Sequence, residues 1–308
     1  MVCCFYKHHT RNNMDLFSNS SVYNFSKDNV PALRVKAPAT LDIETLDCFS
    51  NQLRNPEDTI EQLDWDRINP ATGPVYIEGA EPGDALKVTV NRIDLNEKGT
   101  VCCLENEGVL GHLFKGSHIR VAPVKDGYVH YLDLKIPVKK MIGVIGVAPA
   151  GDPVSNGTPG PHGGNMDTLM ITEGATIYFP IFAPGALFAL GDCHAVMGDG
   201  EIGVSGLEIP AKINVTLEVV KGKAPKYPIL EDKESFAIIV SKPTVDEAIA
   251  HATELMCEFL EQRLTSYTRP EIVMLMSLTG DVRISQVVDP EKTVRFVFPK
   301  KYAAGAEF

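Results

Sequence analysis

Between Asn156 and Glu208 the chain gathers groups that bind cations and move protons. His162, Asn165, Asp167, Asp192, His194, Asp199, Glu201 and Glu208 lie there among glycines. Asp192 and His194 are two residues apart and follow the apolar run Ala186–Leu190. On an extended segment such residues share a face, with Cα atoms about 6.5 Å apart. A carboxylate and an imidazole on one face can close on a single divalent ion. Asp199 and Glu201 repeat the spacing across Met197-Gly198-Asp199-Gly200. That gap suits a hairpin, which would set the second acidic pair beside the first.

A D-x-H pair alone occurs in many ordinary turns, and G-D-G serves hairpins for backbone reasons. Density distinguishes this segment, because the acids and two histidines share one glycine-rich stretch flanked by apolar strands. Glycine also lets backbone approach a ligand closely. A second acid group, Asp42, Glu44 and Asp47, sits in LDIETLD. If that segment is a strand, Asp42 and Glu44 share a face and Asp47 lies opposite. Cys193 stands between Asp192 and His194; on a strand it points away from both, as a core thiol rather than a nucleophile. No G-x-S-x-G or Walker A motif is present, so neither a serine elbow nor P-loop nucleotide chemistry is indicated.

The elements that must hold these residues read mainly as strands. Ala85–Ile93 and Ala211–Val220 alternate apolar and polar positions, the period of half-buried strands. Tyr128–Ile136 reads as a third. Met141–Ala148, nearly all apolar, suits a strand buried on both faces. Ile177–Ala189, with Pro180, Pro184 and Gly185, reads as two strands around a turn. Beyond Gly222 the character changes. Thr244–Leu264 carries apolar residues at helical spacing behind the Thr244–Glu247 capping pair, and a second helix starts at Pro270 and ends by Gly280. Val294–Phe298 is expected to return as an edge strand. The expectation is an α+β, mostly β fold: a disordered extension over 1–21, a β-rich catalytic body over 22–222, and a smaller helical α+β lobe over 223–308.

With 308 residues, a net charge of −11, 25 Gly and 21 Pro, the chain is acidic and rich in turns. Excess negative charge disfavours nucleic-acid backbones and anionic membrane surfaces. Seven cysteines with no C-x-x-C spacing read as free thiols in a reducing, cytoplasmic setting. His8-His9, near the start of the sequence, reads as incidental rather than as a ligand pair.

Four separated blocks carry a resemblance: NPATGPVYIEGAEPGDALKV, the stretch Met141–Ala150, GPHGGNMD, and GDCHAVMGDGEIGVSGLEIP. In this order they resemble the acetamidase/formamidase family, over about Tyr23 to Lys300. The resemblance implies hydrolysis of small amides to carboxylate and ammonia on a β-sandwich-like body. It also implies a divalent metal, zinc or in some members calcium, and dimers or larger homo-oligomers. Carried onto this sequence, it implies Asp192 and His194 as metal ligands, with Asp47 as third choice. Glu201 and Glu208 become candidates for general base, and Asn69, His162, Asn165 and Asp167 candidates to line the substrate pocket. Two alternatives stay open: a hydrolase of another C–N substrate, such as a lactam or ureido compound, and a non-catalytic β-sandwich binding protein.

Overall fold

The alternating segments become two facing sheets in the structure, a computed structural model that describes residues 14–303 and residue 308. Leu41 and Ile43 of Ala39–Thr45, Val88 and Val90 of Ala85–Leu95, and Ile213 and Val215 of Ala211–Val220 are fully buried. These three strands belong to a nine-stranded sheet. Its order is Met14–Leu16, Ala39–Thr45, Ala211–Val220, Ala85–Leu95, Thr176–Pro180, Ile229–Glu231, Ser235–Lys242, Lys292–Pro299, Asp281–Gln286. A second sheet runs Gly163–Asn165, Met141–Gly146, Phe188–His194, Ala71–Glu78, Ser21–Val22, with Leu33–Lys36 parallel to Ala71–Glu78. One core cluster joins their inner faces, for example Ile43, Val88 and Ile213 with Val75, Ile142 and Phe188. This is sandwich packing, and each such side chain contributes about 1.5–3 kcal/mol by leaving water. Every residue of Met141–Gly146 is buried, as its unbroken apolar run requires.

A four-stranded sheet of Lys98–Cys103, His118–Lys125, Tyr128–Tyr131 and Leu134–Pro137 completes the body. Here Tyr128–Ile136 is a hairpin rather than one strand. Leu132, with φ 55°, turns the chain in mid-segment, and Tyr131 pairs with Leu134.

The two C-terminal helices are Val245–Glu261 and Arg269–Thr279, each opened by a reciprocal cap, Thr244 with Glu247 and Thr268 with Glu271. They cover Phe236, Ile238, Val240, Phe296 and Phe298 with Ala252, Met256, Phe259 and Ile272. The strands beneath them extend the nine-stranded sheet through Thr176–Pro180, so hydrogen bonding runs without a break past residue 222. Lys292–Pro299 is not the edge strand its sequence suggested. Asp281–Gln286 pairs along it and takes the edge, leaving Val294 to Phe298 buried on both faces. Part of the expected extension is also ordered: Met14–Leu16 pairs with Ala39–Thr45 and Ser21–Val22 with Ala71–Glu78, because unpaired strand edges were available to receive them. Residues 1–13, including His8-His9, lie outside the described residues. No described helix is long and apolar enough to cross a membrane.

Candidate active site

Phe188–His194 lies at the centre of the second sheet and runs straight into the acid-rich segment. Asp192 departs from extended backbone, with φ 53°. Ladder pairing with Met141–Gly146 breaks at that point: Cys193 faces Ile142, Gly191 faces Val144, and Asp192 is offset opposite Gly143. Gly143 is needed there. A Cβ at that position would stand 2.4 Å from Asp167 Oδ1 and 2.6 Å from Asp192 Oδ2. Asp167 and Glu201 also adopt positive φ, 38° and 48°. Three non-glycine residues of one cluster thus occupy a sparsely populated conformation, a form of strain that concentrates at functional sites.

His194 Nε2 faces Glu208 Oε2 at 3.1 Å, Asp192 Oδ1 at 3.5 Å and Asp167 Oδ1 at 3.7 Å. Those three oxygens are buried and have no hydrogen-bond partner. Carboxylates also meet carboxylates: Asp167 contacts Glu201 and Asp289, and Asp192 contacts Glu208. Among the described residues no Lys or Arg forms a salt bridge with Asp167, Asp192, Glu201 or Glu208. Such a set holds together only with shared protons or a cation.

The titration directions follow from this crowding. Burial, reinforced by Glu201 and Asp192, lifts Asp167 well above the usual carboxylate range. Burial likewise raises Glu201 and Glu208 to about 8. At Asp192 burial opposes the charge, but His194 outweighs it and lowers the pKa. At His194 burial also opposes the charge, and Glu208 and Asp192 overcome it, holding the imidazole well above its ordinary value.

The donor set fits a divalent cation. Bonds of about 2.0–2.2 Å place tetrahedral N and O donors about 3.4 Å apart, close to the separations around His194 Nε2. Candidate ligand atoms of Asp167, His194 and Glu201 lie within 4.8 Å of one another, and so do those of Cys48, Asp192 and Glu208.

The expected residues divide accordingly. Asp167, Asp192, His194, Glu201 and Glu208 converge, and Asp167 belongs to the middle of the cluster rather than to a pocket wall. Asn165 reaches its rim by donating Nδ2 to Asp289 Oδ2 at 3.0 Å. Asp47 turns aside: its carboxylate accepts Asn51 N–H at 2.7 Å and pairs with Arg54 at 3.2 Å. The neighbouring Cys48 supplies the sulfur beside Asp192 and Glu208. Asp199 does not pair with Glu201 on a hairpin face. The chain from Ala195 to Leu207 forms a loop that brings Glu208, not Glu201, opposite His194. Asp199 receives both hydrogen bonds from Arg295 Nη2, at 2.8 and 2.6 Å. Asp42 accepts from Asn214 at 2.8 Å, away from the cluster.

His162 is buried against Phe25, ring centroids 5.3 Å apart, and burial lowers its pKa to about 4. Asn69 holds Cys48 O through its N–H at 2.7 Å and accepts Asn156 Nδ2 at its carbonyl. Neither joins the acid cluster. Cys193 is fully buried in the core, its thiol pushed up to about 12 by burial.

Asp289 was not among the residues the sequence singled out. The C-terminal strands bring it in, and they also hold the Glu201 turn. Gly200 N–H donates to Ser285 O at 2.9 Å, Val287 N–H to Gly200 O at 3.1 Å, and Arg295 Nη1 to Ser285 Oγ at 2.9 Å.

Comparison with known proteins agrees with this construction. The sequence profile described as the Acetamidase/Formamidase family matches residues 12–156 and 155–302. A recombinant predicted acetamidase/formamidase from the thermophile Thermoanaerobacter tengcongensis superimposes with a TM-score of 0.93 at 47% identity, over 96% of this chain and 99% of that one. Acetamidase from Bacillus halodurans gives 0.91 at 40%, over 94% and 98%. The acetamidase of Mycolicibacterium smegmatis is 24% identical over 263 residues, 64% of this chain and 65% of that protein. The chain spans less than two thirds of the length of the first curated relatives it matches.

Proposed function

We propose that this chain, which belongs to the acetamidase/formamidase family, hydrolyses small linear amides to carboxylate and ammonia at the His194 cluster. The observation that carries the reading is His194 Nε2 set 3.1–3.7 Å from three buried carboxylate oxygens that have no other partner. Asp192, His194 and Asp167 would hold a divalent cation, zinc by the mixed nitrogen and oxygen donors, with calcium as the alternative. When bound, the cation would polarise the amide carbonyl and make water acidic near neutral pH.

The chain's own groups handle protons and placement. Glu201 is the better base, because it borders a cavity whereas Glu208 is only 1% exposed and lies against His194. Its carboxylate takes the proton of the attacking water and returns it to the departing nitrogen, a role worth about 10²–10⁴-fold. Water and amide thereby give carboxylate and ammonium, with atoms and protons balanced. Asn165 and Asp289, already joined to each other, face the cluster and can orient the amide group. His162 and Asn69 would act behind them.

Five free cysteines among the described residues suit a reducing, cytoplasmic setting. Exposed Leu110, Leu113, Leu132 and Leu134 give apolar surface to a second copy in a homo-oligomer. Elemental analysis of the purified protein, with ammonia release measured on formamide and acetamide, tests the central reading. Absence of both metal and ammonia would overturn it. Turnover confined to lactams or ureido compounds would move the substrate class.

A further inference from the structure

An apolar cavity of about 420 Å³ borders the acid cluster. Val101, Val129, Tyr131 and Ile136 of the four-stranded sheet form one side, and Ile202 and Leu207 of the loop after His194 form the other. Two further wall residues tie the cavity to the chemistry. One is Glu201, the proposed base. The other is Gly206, where a Cβ would stand 2.5 Å from His194 Nδ1, so the wall there lies directly against the imidazole.

The acyl groups of formamide and acetamide are a hydrogen and a methyl. Neither uses more than a small part of a cavity in the size range of whole-ligand pockets, about 300–1,000 Å³. We infer that the cavity receives the acyl chain of the amide, so that the preferred substrates are linear amides with an unbranched apolar acyl group of several carbons. The inference rests on the amidase reading and adds the substrate class. An amide whose carbonyl sits at the His194 cluster, with its nitrogen toward Asn165 and Asp289, can direct its alkyl chain past Glu201 between Val101 and Ile202. Apart from Glu201 itself, the acid on these walls is Asp199, which Arg295 already holds.

The test is kcat/KM by ammonia release for formamide, acetamide, propionamide, butyramide and hexanamide with the metal-loaded protein. Each methylene moved from water to this wall should raise kcat/KM about fourfold up to the length the cavity accepts. Ile202→Asp places a charge in the wall. Ile202 is 54% exposed, so the fold tolerates the change. The butyramide-to-acetamide ratio should then fall about tenfold, the loss of one to two buried methylenes. Formamide turnover with no gain along the series overturns the inference and leaves the amidase reading intact. No turnover of any amide overturns both. A native mass that halves in Ile202→Asp while the ratio stays fixed shows that a second copy covers the cavity, and overturns the inference as well.

Discussion

Asp84 and Asp192 are both buried aspartates, yet their surroundings satisfy them in opposite ways. Asp84 receives Lys221 Nζ at 2.7 Å, Gly222 N–H at 2.9 Å and Glu81 N–H at 3.0 Å. Burial opposes its ionisation, and Lys221 with those amides outweighs burial and lowers the pKa. Asp47 also has an amide and a cation of its own, Asn51 and Arg54, although there burial outweighs them and raises the pKa. Asp192 instead faces His194 and Glu208, with Asp167 sharing the same imidazole. A buried acid with its own cation or amides holds a turn together. Buried acids that converge on one another, with orphaned oxygens, are incomplete without something from outside.

The largest effect should come from removing the shared imidazole. His194→Ala should lose bound divalent metal and more than about 100-fold of its formamide turnover, since even indirect support of a ligand is worth 10–100-fold, while remaining folded. Metal content equal to wild type by elemental analysis would show that the cation does not depend on His194, and the contrast with Asp84 would lose its centre.

Glu201→Gln sharpens the comparison by dividing cation binding from proton transfer. It should keep the metal and lose about 10²–10⁴-fold in kcat with KM little changed, the signature of an interaction made in the transition state. If it strips the metal, Glu201 is a ligand and Glu208 the base. The same variant carries a pH prediction for chelated protein. With its pKa raised to about 8 by burial, folded Glu201 keeps a proton that the unfolded chain releases at ordinary carboxylate pH. Stability is therefore greatest below that ordinary range and falls as pH climbs toward 8. Thermal melts of metal-free wild type should drop over that window, and the drop should be smaller in Glu201→Gln.

Asp84→Asn makes the opposite trade. It removes a charge that is already matched, so it should cost about 1–2 kcal/mol in denaturant titration and leave metal content and amide turnover alone. Smallest of all, Cys193→Ser should keep most activity, because the thiol packs in the core beside Thr45. A loss comparable to that of His194→Ala would restore a thiol mechanism.

Much of this contrast was legible in the sequence, and the misses have physical causes. Asp192-x-His194 announced itself by spacing, but not through the simple strand geometry assumed. Asp192 reaches the cluster by a left-handed kink that Gly143 makes room for, and Gly143 looked like one more glycine in an apolar run. Asp47 attracted attention as an acid, whereas its neighbour Cys48 faces Asp192 and Glu208. Chain direction after a strand end does not follow from residue type. The helices were readable from the Thr244–Glu247 cap and from Pro270, because those signals are local. The strand Asp281–Gln286 pairs with its neighbour in the chain, Lys292–Pro299, but the arrival of Asp289 at the cluster depends on contact with the distant Gly200 turn, which local pattern does not encode.

That dependence bears on the order in which the protein is built. Asp167, Asp192, His194 and Glu208 are all synthesised before residue 210, within the body that carries the larger core. The Glu201 turn is fastened by Ser285 and Arg295, and Asp289 follows the same strand. A nascent chain halted before residue 280 holds the imidazole and four of the acids but lacks the clasp on Glu201. Long-range pairings of this kind form late, after their loop-closure entropy has been offset by earlier contacts. The reactive geometry therefore comes into being at the end of folding, when the sheet extends past Thr176–Pro180 to its far edge. Partly made chains carry the acids without the finished apparatus.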